Sequence, residues 1–269
     1  MGKMIVEKIA MPQQENRMRT IRVYLPGDYD QWPGKRYPVL YMHDGQNMVD
    51  PAPFSGYSWD VQNILQKMEA AGEIEGIIVV GVDTDDLHRI PEYTQAIDPH
   101  AVREVRRHFH GNLFEPAADV YAHFLVDTLK PYIDKKFRTS PDREHTGTFG
   151  SSCGGNVAIY LGTEWNDVFG VVGAFSPAYW MVKEDLFRRV GVKTFRNPTR
   201  IYHDMGLWES GFPLFPYVRD DRIFHRLLLK AGLSSGDVKM VLDPTGRHTE
   251  LFWQSRLPDF LRFAFGKRA

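Results

Sequence analysis

The chain predicts a doubly wound α/β fold built on a mostly parallel sheet, and three observations carry that expectation. Strand-like and helix-like segments alternate along most of its length. Several strand candidates, among them PVLYM, IIVVGV and GVVGAF, are continuous apolar runs, as suits strands covered on both faces. The 269 residues are 43% hydrophobic, and no internal repeat or low-complexity linker divides them. The expectation is therefore one domain over 1–269, its parallel strands joined by right-handed crossovers.

Taken in order, MIVEKIAM and TIRVYLP flank the polar turn PQQENRMR and read as an antiparallel edge. YPVLYMHD is the third strand. SWDVQNILQKMEAAG reads as a helix with Ser58 as its N-cap and Gly72 as its stop, and GIIVVGVD as the strand after it. Residues 84–118 are long, polar and rich in His, Arg and Pro, which predicts a loop insertion near the active site. Within it Arg103, Arg106 and Arg107, with His108 and His110, read first as a solvated helical face, with contact to an anionic or sugar-bearing substrate as the alternative. DVYAHFLVDTLKPYIDKKF is helical, with Val120, Phe124, Leu125 and Leu129 on one stripe and a kink expected at Pro131. REHTGTFG, FGVVGAFSP, TRIYHDMG and VKMVLD complete eight strands, and DDRIFHRLLLKAG and TELFWQSRLPDFLRFAFG are the last two helices. LWESGFPLFPYVR, residues 207–219, reads as a second loop, aromatic and proline-rich. In an open α/β sheet such loops gather at the carboxyl ends of the strands, where ligands bind.

Composition narrows the class of function. A formal net charge of -1 provides no global field for nucleic acid or an anionic membrane surface. One cysteine forms no intrachain disulfide, and Cys/His zinc spacing is absent. No signal-peptide pattern opens the chain and no apolar run approaches the ~18 residues of a membrane span. The expectation is a cytoplasmic protein acting on a small molecule.

The chemistry concentrates in TFGSSCGGNVAIY, residues 148–160. Read as G-x-S-x-G, it gives Gly150-Ser151-Ser152-Cys153-Gly154 at a strand-to-helix junction. A nucleophile on so tight a turn is strained and needs the smallest neighbours two residues to either side. Centring the motif on Cys153 loses the first glycine, and centring it on Ser151 puts Phe149 and Cys153 at the flanks, so Ser152 is the candidate. The new helix N-terminus then faces the reacting carbonyl and favours developing negative charge.

A serine hydroxyl needs a base, and the base an orienting acid, here expected in the order Ser, acid, His. Downstream of Ser152 the histidines are His203, His225 and His248. His203 lies inside a strand and His225 inside a helix, whereas His248 sits on a turn after the last strand and is the expected base. Asp204 and Glu209 are the candidate acids, with Glu209 better placed because it lies in the loop beyond Gly206. A second backbone donor beside Cys153 N–H is expected from YMHDGQN, where Gly45 permits a close approach and Gln46 supplies the N–H. His43–Asp44 and His203–Asp204 are adjacent on strands and point to opposite faces, so no metal is expected. Trp180, Trp208, Phe212, Phe215 and Tyr217 are loop aromatics that could line a pocket for an acyl or aryl group.

With these residues the chain resembles the putative-esterase family of α/β-hydrolases, which includes esterase D, feruloyl and acetylxylan esterases, enterochelin esterases and mycolyltransferases. The resemblance runs nearly end to end through RTIRVYLPGDY, YPVLYMHDGQN, IIVVGVD, PEYT, YAHFLVDTLKPYIDKKFRT, FGSSCGGNVAIYLG, GAFSPAYW, IYHDMGLWE and GRHTELFWQSRLPDFLRFAF. It implies an α/β-hydrolase fold, Ser152 as nucleophile, His248 as base, Glu209 as acid, and the N–H groups of Gln46 and Cys153 as oxyanion donors. The function expected is a cofactor-free serine esterase acting on a small acyl or aryl ester, sugar-linked esters included. An acyltransferase with the same triad and an inactive binding module are the alternatives.

Overall fold

The computed structural model describes residues 2–266 apart from Arg196, Phe212, Leu214 and the His108 side chain. Its eight strands are β1 (Lys3–Met11), β2 (Arg17–Leu25), β3 (Val39–His43), β4 (Ile78–Val82), β5 (Thr146–Ser151), β6 (Val171–Phe175), β7 (Arg200–Gly206) and β8 (Val238–Asp243). They form one sheet in the order β1-β2-β4-β3-β5-β6-β7-β8. β1 pairs antiparallel with β2 from Lys3↔Leu25 to Met11↔Arg17, and β2 joins antiparallel to β4. Every remaining pairing is parallel. The expected antiparallel edge and parallel centre are both present.

Period-two alternation along the central strands divides the core between the two faces of the sheet. On one face Val39, Tyr41 and Val80 pack in a cluster with Tyr121, Leu125, Val157, Leu161, Leu186 and Phe224. On the other, Leu40, Met42, Val79, Phe149 and Phe175 pack with Leu65, Trp253, Leu257 and Phe260. The helices around the sheet are α1 (Val61–Ala70), α2 (Arg89–Glu92), α3 (Val102–His108), α4 (Ala118–His123), α5 (Lys130–Lys136), α6 (Cys153–Glu164), α7 (Tyr179–Val192), α8 (Phe215–Lys230) and α9 (Glu250–Phe265). Among the described residues no helix is long and apolar enough to cross a membrane.

Several local expectations are corrected. Ser58 is not the cap of α1: the helix starts at Val61, and the Ser58 hydroxyl instead accepts the N–H of Asp60 at 3.2 Å. Gly72 does end the helix, at a φ of +69°, where a side chain would be strained. The helix through Pro131 does not simply kink there. Residues Phe124–Leu129 widen into a π turn between α4 and α5, which relieves the clash of the proline ring with the carbonyl four residues back. The 84–118 segment carries α2 and α3 and is not one structureless loop, and Arg103, Arg106 and Arg107 are exposed on α3. Of the 207–219 stretch, residues 207–211 form turns, but its end is helical. α8 begins at Phe215, with Pro216 in the first turn where a missing N–H costs nothing. α7 was not expected at all, and Trp180 lies on it rather than in a loop.

Candidate active site

Each candidate residue follows the carboxyl end of a parallel strand: Gln46 after β3, Ser152 after β5, Glu209 after β7 and His248 after β8. Adjacent strands therefore deliver them to one edge of the sheet. Ser152 has φ 57° and ψ -123°, a conformation outside the ordinary regions for a non-glycine residue. The backbone holds it there: its N–H donates to Phe175 O at 2.9 Å, and its carbonyl accepts the N–H groups of Gly155 at 3.0 Å and Ala178 at 3.1 Å. A Cβ on Gly150 would stand 3.0 Å from the Gly154 carbonyl, so the two flanking glycines leave each other the room the turn needs. Cys153 is buried, and burial pushes its thiol pKa up against the opposing pull of Arg89. A thiol held protonated is a poor nucleophile.

The His248 Nδ1 lies 2.6 Å from Glu209 Oε2. Glu209 is buried, and its other oxygen accepts the Ser176 hydroxyl at 2.8 Å and the Gly206 N–H at 2.6 Å. Trp253 meets the His248 ring edge to face, with centroids 4.9 Å apart and an 83° interplanar angle. Asp204 is engaged elsewhere. Arg256 donates to it through Nε at 2.9 Å and Nη2 at 3.0 Å, and through Nη1 to Asp243 at 3.0 Å. Burial is the largest single influence and works against the Arg256 charge, but the field of Asp204 together with the hydrogen bonds to Asp204 and Asp243 raises the guanidinium pKa. Asp204 is fully buried, so Arg256→Met should lower unfolding free energy by about 3–5 kcal/mol, because an uncompensated carboxylate is left in the interior. Urea unfolding followed by circular dichroism checks this; a loss under about 1 kcal/mol would contradict it.

Ser152 and His248 line two cavities. One, of about 160 Å³, is walled by Pro177, Trp180, Met205 and Tyr217 together with Glu209. The other, of about 360 Å³, is bounded by Gln46, Asn47, Phe54, Asp86, Arg89 and Trp253. Among the described residues no hydrogen bond joins the Ser152 hydroxyl to His248, though the two line the same two cavities. Gln46 lies in a 3₁₀ turn (Gly45–Met48) pressed against β4, where a Cβ on Gly45 would stand 2.3 Å from the Gly81 carbonyl carbon. Among the described residues the N–H groups of Gln46 and Cys153 have no backbone acceptor outside their own helices. Of the expected pocket aromatics, Trp180 and Tyr217 reach the smaller cavity. Trp208 instead donates its Nε1–H to Pro244 O at 3.0 Å, and Phe212 lies outside the described residues.

Sequence pattern did not single out Arg89, Ser176 or Trp253. Arg89 forks onto Asp44 through Nε and Nη2, both at 2.8 Å, and lines the larger cavity. Burial alone would raise the Asp44 pKa, but Arg89 holds it below the ordinary value. The pair spans 45 positions, so no local pattern announces it; the one available signal was PEYT, which begins two residues after Arg89 and whose Tyr93 hydroxyl accepts the Asp44 N–H at 2.9 Å.

An eight-stranded sheet of this order, with a serine strained at a strand-to-helix elbow after β5, is an α/β-hydrolase. The family model described as putative esterase matches residues 13–264, and the chain belongs to that family. It is accordingly a carboxylic-ester hydrolase. YbbA, an uncharacterized protein of Bacillus subtilis, is 20% identical over 257 residues, covering 93% of each chain. An endo-1,4-beta-xylanase/feruloyl esterase of Xylanibacter ruminicola is 28% identical over 182 residues, 64% of this chain but 21% of that much longer protein. A solved ferulic acid esterase superposes with a TM-score of 0.72 at 19% identity, covering 98% of both chains, which is a likeness of fold.

Proposed function

We propose that the chain hydrolyses small acyl or aryl esters, including sugar-linked ones, through Ser152, His248 and Glu209. The observation that carries the reading is the 2.6 Å contact of His248 Nδ1 with a buried carboxylate, beside a strained serine that shares both cavities with the same histidine. His248 Nε2 takes the proton as Ser152 Oγ attacks the ester carbonyl, and the N–H groups of Gln46 and Cys153 stabilise the oxyanion. The alcohol departs with a proton from His248. Water, deprotonated by the same ring, then releases the acid from the acyl-serine. The smaller cavity, with Trp180, Met205 and Tyr217, suits the acyl or aryl group, and the larger one, with Asn47, Asp86 and Arg89, suits a hydroxyl-bearing alcohol. The likeness to a feruloyl esterase and to a ferulic acid esterase supports an aryl acid as the first ester to try.

The test is intact mass after exposure to a fluorophosphonate probe, on the wild type, Ser152→Ala and Cys153→Ala. One adduct, lost only in Ser152→Ala, is expected. An adduct lost in Cys153→Ala alone would move the nucleophile by one residue, and no adduct on folded wild type would favour the binding module. Product analysis with a competing alcohol separates hydrolysis from acyl transfer.

A further inference from the structure

We propose that Ser176 is a positioning residue that holds the Glu209 carboxylate in register with His248; the inference rests on Glu209 being the triad acid, as proposed above. The argument is one of proton count. The Ser176 hydroxyl, itself buried, has three neighbours at hydrogen-bond distance: Glu209 Oε1 at 2.8 Å, Trp253 Nε1 at 3.0 Å and Arg256 Nη2 at 3.1 Å. Indole and guanidinium nitrogens only donate, so both of the hydroxyl's acceptor sites are filled. Its single proton is therefore directed at Glu209 Oε1.

That oxygen also receives the Gly206 N–H at 2.6 Å, which leaves Oε2 to His248. The carboxylate is fixed about its last torsion by two donors on one oxygen, and its other oxygen faces the imidazole. The parts that hold Ser176 are themselves fixed. Its N–H donates to Asp204 Oδ1 at 2.9 Å, and Asp204 is forked by Arg256. Trp253 and Arg256 stand three residues apart on α9 and so share a face. Trp253 also packs its ring against His248. One buried hydroxyl thus ties the acid's orientation to the helix that follows the base. Ser176 adopts φ 42°, a strained left-handed conformation for a serine, which the surrounding bonds maintain.

That strain supplies the test. Ser176→Gly removes the hydroxyl while relieving the backbone, so it keeps the fold where Ser176→Ala could lose it. Hydrolysis of p-nitrophenyl acetate is measured for both variants and for Glu209→Gln, with thermal unfolding alongside. A positioning role predicts kcat down about tenfold in the folded Ser176 variants with KM within about twofold, since a lost bond to a charged group is worth about one tenfold step. Glu209→Gln should lower kcat further. Full kcat in folded Ser176→Gly, or a raised KM at unchanged kcat, overturns the positioning role while a loss in Glu209→Gln leaves the triad standing. Unchanged kcat in Glu209→Gln overturns the triad reading on which the proposal rests.

Discussion

Ser152→Ala is expected to lower kcat toward an aryl acetate by about 10⁴- to 10⁶-fold, the loss that removal of a triad serine brings in enzymes of this mechanism. The rate that survives belongs to the oxyanion donors and to binding, which act without the nucleophile. Neither cavity loses a wall when one hydroxyl is removed, so KM should stay close to the wild-type value. The substitution keeps a Cβ at φ 57°, so it adds no backbone strain to what serine already bears. Cys153→Ala, on the buried neighbour, should retain most activity, because only the backbone of that residue is asked to act. A Ser152→Ala protein that still turned over at a tenth of the wild-type rate would remove Ser152 from the mechanism.

The second large effect is on stability in acid and concerns His43. Its ring is buried, with Nδ1 3.0 Å from the Tyr121 hydroxyl and Nε2 2.9 Å from Thr148 Oγ1. Burial holds its pKa down from 6.5 to about 3, the charge of Asp44 opposing and that of Arg89 assisting. The folded pKa is thus below the unfolded one. As pH falls through 6.5 the unfolded chain takes up a proton that the folded chain refuses, and unfolding is favoured. The contribution is complete above pH 6.5 and drains away toward pH 3, up to about 5 kcal/mol in all. Urea titrations at pH 7.5, 5.5 and 4.5 on the wild type and His43→Gln would read it. The variant should be less stable at pH 7.5 yet lose less on acidification, which cancels the carboxylates common to both. Identical slopes would show that His43 is not the group that titrates.

Much of the fold was legible because it is written locally. Continuous apolar runs marked β3, β4 and β6, and the spacing of Gly150, Ser152 and Gly154 marked the elbow, since close packing there tolerates no side chain. His248 was legible as the candidate base because the other downstream histidines fall inside regular elements, where His203 is fully buried. What escaped is written in contacts. α7 starts at Tyr179 without a side-chain cap, two residues after Pro177, and Pro213 and Pro216 masked the start of α8. The Arg89–Asp44 fork and the bonds meeting at the Ser176 hydroxyl join residues 33 to 80 positions apart, and no periodicity reports those.

The anchoring of Arg89 bears on how such a chain could change what it accepts. The insertion is not uniformly free to vary. Glu92, Tyr93 and Thr94 are fully buried, and Glu92 is ion-paired to Arg17 and Arg19 of β2, so the stretch from Arg89 to Thr94 belongs to the scaffold. Beyond it, residues 103, 104, 106, 107 and 110–113 are exposed. A graft from another member of the family that begins after Thr94 keeps the Arg89–Asp44 pair but must still refill the buried positions Asp98, Ala101 and Val105. One that begins at residue 84 also removes the guanidinium that compensates Asp44, beside the turn that carries Gln46. The exposed positions of α3 and of the turn that follows it are therefore the ones in this segment that can change at least cost to the fold.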